Sequence, residues 1–250
     1  LGKPGVVAQA ISAVDIALWD LQARLLDVPL VVTIGAVHEA TPIYGSGGFT
    51  SYDNDTLAAQ LAGWVQAGIP RVKMKVGRDP DADPKRLRAA RRAIGDAAEL
   101  FVDANGAFQR KDALLWAQRF SEHGVRWFEE PVSSDDLAGL RVLRDRGPAG
   151  IDIAAGEYGY HLPYFQQMLD AGAVDCLQAD VTRALGISGV LRVAALCDAR
   201  SIEHDHVRIE RIAFDGVLEP QPGGVLRPDR SSPGLGLEVK HADLEQYRVG

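Results

Sequence analysis

The segments Phe101-Val102-Asp103-Ala104-Asn105-Gly106, Trp127-Phe128-Glu129-Glu130-Pro131 and Ile153-Ala154-Ala155-Gly156-Glu157 decide the fold. Each is a short apolar run ending in a carboxylate and then in turn residues, the form of a buried parallel strand that delivers one acid to the edge of a sheet. The three ends recur about 25 residues apart, the length of a strand plus a returning helix. As neighbours in one barrel, these strands bring Asp103, Glu129 and Glu157 together at its C-terminal rim. Carboxylates gathered in this way repel one another unless a positive charge lies among them, and hard oxygen donors in that number suit Mg²⁺. The stretch predicts a divalent-metal site.

Outward from it, helix and strand alternate. Ile11, Val14, Leu18, Leu21 and Leu25 recur at spacings of three and four, which predicts an amphipathic helix over 8–26. Helices are expected around 56–67, 83–94, 112–123, 137–145, 164–170 and 186–199, and strands near positions 44, 73, 101, 127, 152, 176 and 202. This βα repetition predicts an α/β fold, a TIM-type (β/α) barrel, which 250 residues would ordinarily fill. Seven strands are one too few, because the count of eight is tied to strand tilt and interior packing, so a unit of roughly 25 residues is missing. The expected division is a barrel over 1–214 and a C-terminal return segment rich in Gly and Pro over 215–250.

The net charge of -7 argues against nucleic acid or an anionic membrane as a general partner. Cys176 and Cys197 lie in apolar surroundings without metal-ligand spacing, the pattern of reduced core cysteines and of a cytoplasmic protein. No apolar run is expected to reach membrane-spanning length, and no signal peptide is visible.

Lys73 and Lys75 stand two apart on one strand and share a face. With Val72, Met74 and Val76 packed outward the lysines point inward and need carboxylate partners; the other reading is a solvated strand end. A neighbouring cation lowers a lysine pKa, which would let Lys75 act as a base while Lys73 holds an anion. Asp103 with Asn105 is also good turn chemistry, and Glu129-Glu130-Pro131 is also a strand stop. Asp180 and Arg183 read equally as a helix cap with a surface arginine. Glu203-His204-Asp205-His206 has a His-x-His spacing but lacks a nearby third zinc ligand. Tyr158, Tyr160 and His161 line a pocket or form a polar loop. The glycines after Tyr44 lack the spacing of a phosphate-binding loop.

The helix Ala10-Ile11-Ser12-Ala13-Val14-Asp15-Ile16-Ala17-Leu18-Trp19-Asp20-Leu21, Lys73-Met74-Lys75, Asp103-Ala104-Asn105 and Glu129-Glu130-Pro131 together resemble the barrel domain of the enolase superfamily, in the mandelate racemase and muconate lactonizing enzyme branch. The resemblance implies Mg²⁺ ligation by Asp103, Glu129 and Glu157, with Asn105, Glu130 and Arg183 in support. It makes Lys75 the base that removes a proton next to a substrate carboxylate, with Lys73 beside it. Asp180 matches the aspartate of a His-Asp dyad in the mandelate racemase subgroup, and Glu203 the eighth-strand glutamate that binds the substrate carboxylate. The missing unit is then the strand-7 segment with the dyad histidine, and the N-terminal capping domain of the family is not expected in the chain. The implied activity is that of a Mg²⁺-dependent lyase, an acid-sugar dehydratase, with a 2-hydroxy-acid racemase or epimerase and a non-catalytic metal-binding barrel as alternatives. The expected partners are a small carboxylate substrate and further copies of the chain.

Overall fold

The computed structural model describes residues 4–199, 203–205 and 214–245. Helices α1 (Val6–Leu25) and α2 (Leu30–Thr33) precede β1 (Thr41–Pro42) and β2 (Gly45–Gly47). The alternating body follows: α3 (Asn54–Gln66), β3 (Arg71–Lys75), α4 (Asp83–Ile94), β4 (Glu99–Asp103), α5 (Arg110–Ser121) and β5 (Val125–Glu129). It continues with α6 (Leu137–Arg146), β6 (Asp152–Ala155), α7 (Leu162–Asp170), β7 (Cys176–Gln178), α8 (Gly186–Asp198) and β8 (Glu203–Asp205). The end of the chain holds β9 (Phe214–Asp215), β10 (Val225–Leu226), β11 (Glu238–Val239) and α9 (His241–Leu244).

Strands β2 to β8 form one parallel sheet in sequence order. The seven strands expected from the sequence are therefore present. Strand β7 pairs directly with β8, Cys176 opposite Glu203, and no pairing joins β8 to β2 among the described residues. Local chemistry sets several helix starts. The Asp53 carboxylate accepts the Thr56 N–H at 2.8 Å and Asp136 accepts that of Gly139 at 3.0 Å, each satisfying a donor that the first helical turn leaves free.

The period of two along the strands separates two cores. Val72, Met74, Val102, Phe128, Ile153 and Leu177 face the helices in the larger one. The opposite faces carry Phe101, Trp127, Ala154 and Cys176, with Tyr44 packed against them. Phe101 stacks on Trp127 with ring centroids 5.3 Å apart. Lys73 and Lys75 share this second face, so the inward reading of the lysine pair holds.

Helix α1 forms where the periodicity predicts it but buries another face. Its apolar stripe does not face the core: Val14, Leu18 and Leu25 are 61%, 58% and 77% exposed, while Ala8, Ser12 and Ala23 are buried. It docks on α8 through small and polar groups instead. The Gly186 N–H donates to Ser12 Oγ at 3.0 Å, the Ser188 N–H to Asp15 at 3.0 Å, and Trp19 Nε1 to Ser188 Oγ at 2.9 Å. The alanines between its larger residues also make α1 long and apolar enough to cross a membrane by length and composition, which corrects the expectation that no run reaches that length.

The return segment closes back on the start of the chain. Strand β10 pairs antiparallel with β1, and β11 with β9. Gly234 O accepts the Leu30 N–H at 2.7 Å, and Asp20 accepts that of Leu235 at 2.6 Å. These two-residue strands were not expected from the sequence.

Candidate active site

Parallel pairing places Lys75 opposite Asp103 and Asp103 opposite Glu129, so one lysine and two acids sit side by side on three adjacent strand ends. Glu157 lies just beyond β6. Gly156 makes its approach possible: it has φ +131°, and a Cβ there would come within 2.2 Å of Gln178 O. Oxygens of Asp103, Glu129 and Glu157 all lie within 4.8 Å of one another.

Lysines stand among these acids. Lys73 Nζ pairs with Glu129 and lies 3.5 Å from Asp103, and Lys75 Nζ pairs with Asp103. Lys75 also donates to Asn105 Oδ1 at 2.8 Å, and Asp103 Oδ1 accepts the Asn105 N–H at 2.9 Å. Tyr44 caps Lys73, its hydroxyl 3.3 Å from Nζ and its ring centroid 5.0 Å away. Glu157 pairs with Arg183 at 2.8 Å, and the guanidinium also takes the Glu157 carbonyl at 3.1 Å and lies over the Tyr158 ring.

Burial pushes the carboxyl of Asp103 up, but the ammonium groups of Lys73 and Lys75 outweigh it and hold the group below its ordinary value. At Glu129 burial wins over Lys73, with the charge of Asp103 adding to it, and the carboxyl is raised. Glu130 is pushed up to about 8 by burial and by the charges of Asp103, Glu157 and Glu129. Its buried Oε1 has no hydrogen-bond partner among the described residues. Both supporting residues have left-handed backbones, Asn105 at φ 45° and Glu130 at φ 40°. Such conformations cost about 1–3 kcal/mol each and collect where geometry serves function.

This donor set fits Mg²⁺: three carboxylate oxygens converge, beside a further acid that burial and their charge raise and that lacks a hydrogen-bond partner at Oε1 among the described residues.

Asp180 stands past the end of β7, 8% exposed, and its Oδ1 accepts both the N–H and the hydroxyl of Thr182 at 2.7 Å. Its Oδ2 lies 3.6 Å from Arg183 Nε. Asp180 therefore closes the turn over 181–185 and caps no helix, since α8 begins at Gly186 after Leu185 without a side-chain cap, and Arg183 is tied to Glu157 instead of standing free on the surface. Glu203 lies on β8, but its side chain, those of His204 and Asp205, and all of His206 fall outside the described structure. His161 caps α7 through Nδ1, which accepts the Tyr164 N–H at 3.1 Å. Three site residues escaped the sequence reading: Tyr44; Trp127, whose Nε1 donates to Glu129 at 3.2 Å; and Gln178, whose amide also bonds Glu129. An inward position on a strand was their only signal.

Residues 56–206 match the enolase C-terminal domain-like family, and residues 3–35 match the mandelate racemase / muconate lactonizing enzyme N-terminal domain. A mandelate racemase/muconate lactonizing enzyme-like protein from Rubrobacter xylanophilus superposes with a TM-score of 0.94 at 52% identity, covering 98% of this chain and 75% of that one. L-talarate dehydratase from Polaromonas sp. JS666, complexed with Mg and L-glucarate, superposes with a TM-score of 0.87 at 28% identity over 98% of this chain and 74% of that one. L-talarate/galactarate dehydratase of Salmonella typhimurium is 34% identical over 200 residues, 78% of this chain and 49% of that protein. The chain thus spans about half the length of the curated relatives it matches. A further alignment extends over 291 residues, more than the 250 of the chain, so that relative carries internal segments without a counterpart here. This agrees with the seven-strand sheet as a TIM-type barrel short of one strand. On the matched residues and the superpositions, the chain belongs to the enolase C-terminal domain-like family, in the mandelate racemase and muconate lactonizing enzyme branch.

Proposed function

We propose that the chain forms the barrel of a Mg²⁺-dependent acid-sugar dehydratase, with Asp103, Glu129 and Glu157 as metal ligands. The observation that carries this reading is the lateral register of Lys75, Asp103 and Glu129, which sets an amine directly beside the converging carboxylates. The bound metal would supply positive charge to the dianion that develops when a proton leaves the carbon next to a carboxylate. Lys75, as the free amine, removes that proton. Lys73, inside the rim and capped by Tyr44, holds the substrate carboxylate as an ammonium. The β-hydroxyl then departs with a proton, and the enol product tautomerises to a 2-keto-3-deoxy acid. Glu130 and Asn105 keep the ligand turns in place, and Arg183 orients Glu157.

We assign Asp180 to the dyad position and Glu203 to the carboxylate-binding position of the branch. Of the two rim amines Lys75 is assigned as the base, and racemisation would require a second proton-transferring group on the opposite face of the substrate. The direct pairing of β7 with β8 is the observation behind a second reading, a metal-binding barrel without turnover. The domain division at 214/215, a cytoplasmic location and assembly into a homo-oligomer complete the proposal. Two buried cysteines support the location.

A panel of acid sugars assayed for 2-keto-3-deoxy acid should reveal turnover that depends on Mg²⁺. Exchange of the α-proton with D₂O without loss of water would favour a racemase, and no reaction on any acid would leave the binding barrel. In thermal melts Mg²⁺ should raise the midpoint of wild type and not of Glu129→Gln; equal shifts would refute the ligand assignment.

A further inference from the structure

We infer that the buried pair Asp83 and Arg86 is a positioning device for Lys75, fixing the backbone on both sides of it; this rests on the reading of Lys75 as the base. Both residues belong to the first turns of α4 and are nearly inaccessible, 1% and 7% exposed. Arg86 Nη1 donates to Lys75 O at 2.6 Å and to Asp83 Oδ1 at 3.2 Å. Arg86 Nη2 donates to Gly48 O at 3.0 Å and Phe49 O at 3.1 Å. Asp83 Oδ2 accepts the Gly77 N–H at 2.7 Å.

The need for this arrangement follows from the sheet. Strand β2 ends at Gly47, so no strand residue beyond it remains to take the Lys75 carbonyl, and Arg86 takes it. Gly48 O meanwhile accepts the Lys75 N–H at 3.1 Å, so both peptide groups flanking Lys75 Cα are tied to atoms that the guanidinium holds. Gly77, at φ +91°, turns the chain tightly enough to meet Asp83, and a Cβ there would lie 2.7 Å from that of Ala107. A planar fork with five donors can satisfy several carbonyls at once, which neither lysine nor an apolar residue can do. Were Arg86 there only to pack α4, an apolar side chain of similar volume would serve equally well.

The pair reaches neither the acids nor the face where substrate would sit, so its effect on the reaction passes through the position of Lys75. A displacement of about 1 Å at a reacting group can cost roughly 100-fold in rate. Arg86→Met keeps the apolar stem and removes the fork. It should lower kcat roughly 10- to 100-fold while KM and the Mg²⁺ concentration at half-maximal thermal shift stay within about twofold. Amide hydrogen exchange should accelerate at residues 48–50 and 75–77 and remain unchanged across β5. Arg86→Lys should recover only part of kcat. Unchanged exchange in those two segments would overturn the inference, as would a fall in kcat accompanied by equal loss of protection in β5. If wild type turns over no acid sugar, the functional reading fails, and the exchange pattern alone decides whether the pair fixes Lys75. If Arg86→Met does not fold, Asp83→Asn, which keeps the guanidinium, is expected to loosen 75–77 selectively, and no change there would refute the device.

Discussion

The rim of β3 to β6 and the outer face of α1 are opposites in one molecule. At the rim, charged groups that would be costly alone are gathered together, each candidate metal ligand within reach of a lysine or arginine from another strand or loop. Along α1, large apolar groups that would be favourable inside are left outside, and the contacts to α8 are made by Ser12, Asp15 and Trp19. The difference teaches where burial comes from. A side chain is buried when its partners are supplied by the same folding unit, and periodicity by itself does not say who the partner is.

The contrast can be broken at the rim first. Lys75→Ala should abolish turnover by about 10³-fold, a typical value for a lost general base, with little change in melting temperature. Lys73→Met should leave Glu129 buried without its cation and cost about 3 kcal/mol in urea unfolding of metal-free protein, part of which Mg²⁺ restores. A pH-dependent effect is expected at Glu130, whose carboxyl burial pushes up to about 8. The folded protein keeps that proton in a range where the unfolded chain, titrating near 4.3, has lost it. The contribution to stability is therefore full below about pH 4 and is lost as pH rises toward 8. Metal-free Glu130→Gln should match wild type near pH 4.5 and exceed it increasingly as pH rises toward 8.5, as measured by denaturant unfolding. The smallest change belongs to the other region: Leu18→Gln on α1 should alter stability by less than about 0.5 kcal/mol in the same assay. A loss of several kcal/mol there would mean that the face is covered in solution.

The rim was legible because buried parallel strands are nearly unbroken apolar runs, so Asp103 and Glu129 stand out at their ends. The inward lysines followed from the period of two. Arg86 escaped notice for the converse reason: it lies in a helix with Lys85, Arg88, Arg91 and Arg92, where one more cation looks like a solvated face. Tyr44, Trp127 and Gln178 carry no local mark, since their role comes from the strand beside them. The α1 stripe was legible as an amphipathic helix but not in what covers it, because periodicity reports a surface and not its cover. Two-residue strands such as β1 and β10 leave no periodic pattern to read.

All three candidate metal ligands come from consecutive strand-and-loop units, β4, β5 and β6, and the lysines from the unit just before. The centre is thus a cassette, inherited or lost as one contiguous piece of chain. Insertions and deletions beyond β7 lie outside it, so a lineage can remodel that side of the barrel without rewriting the ligand set.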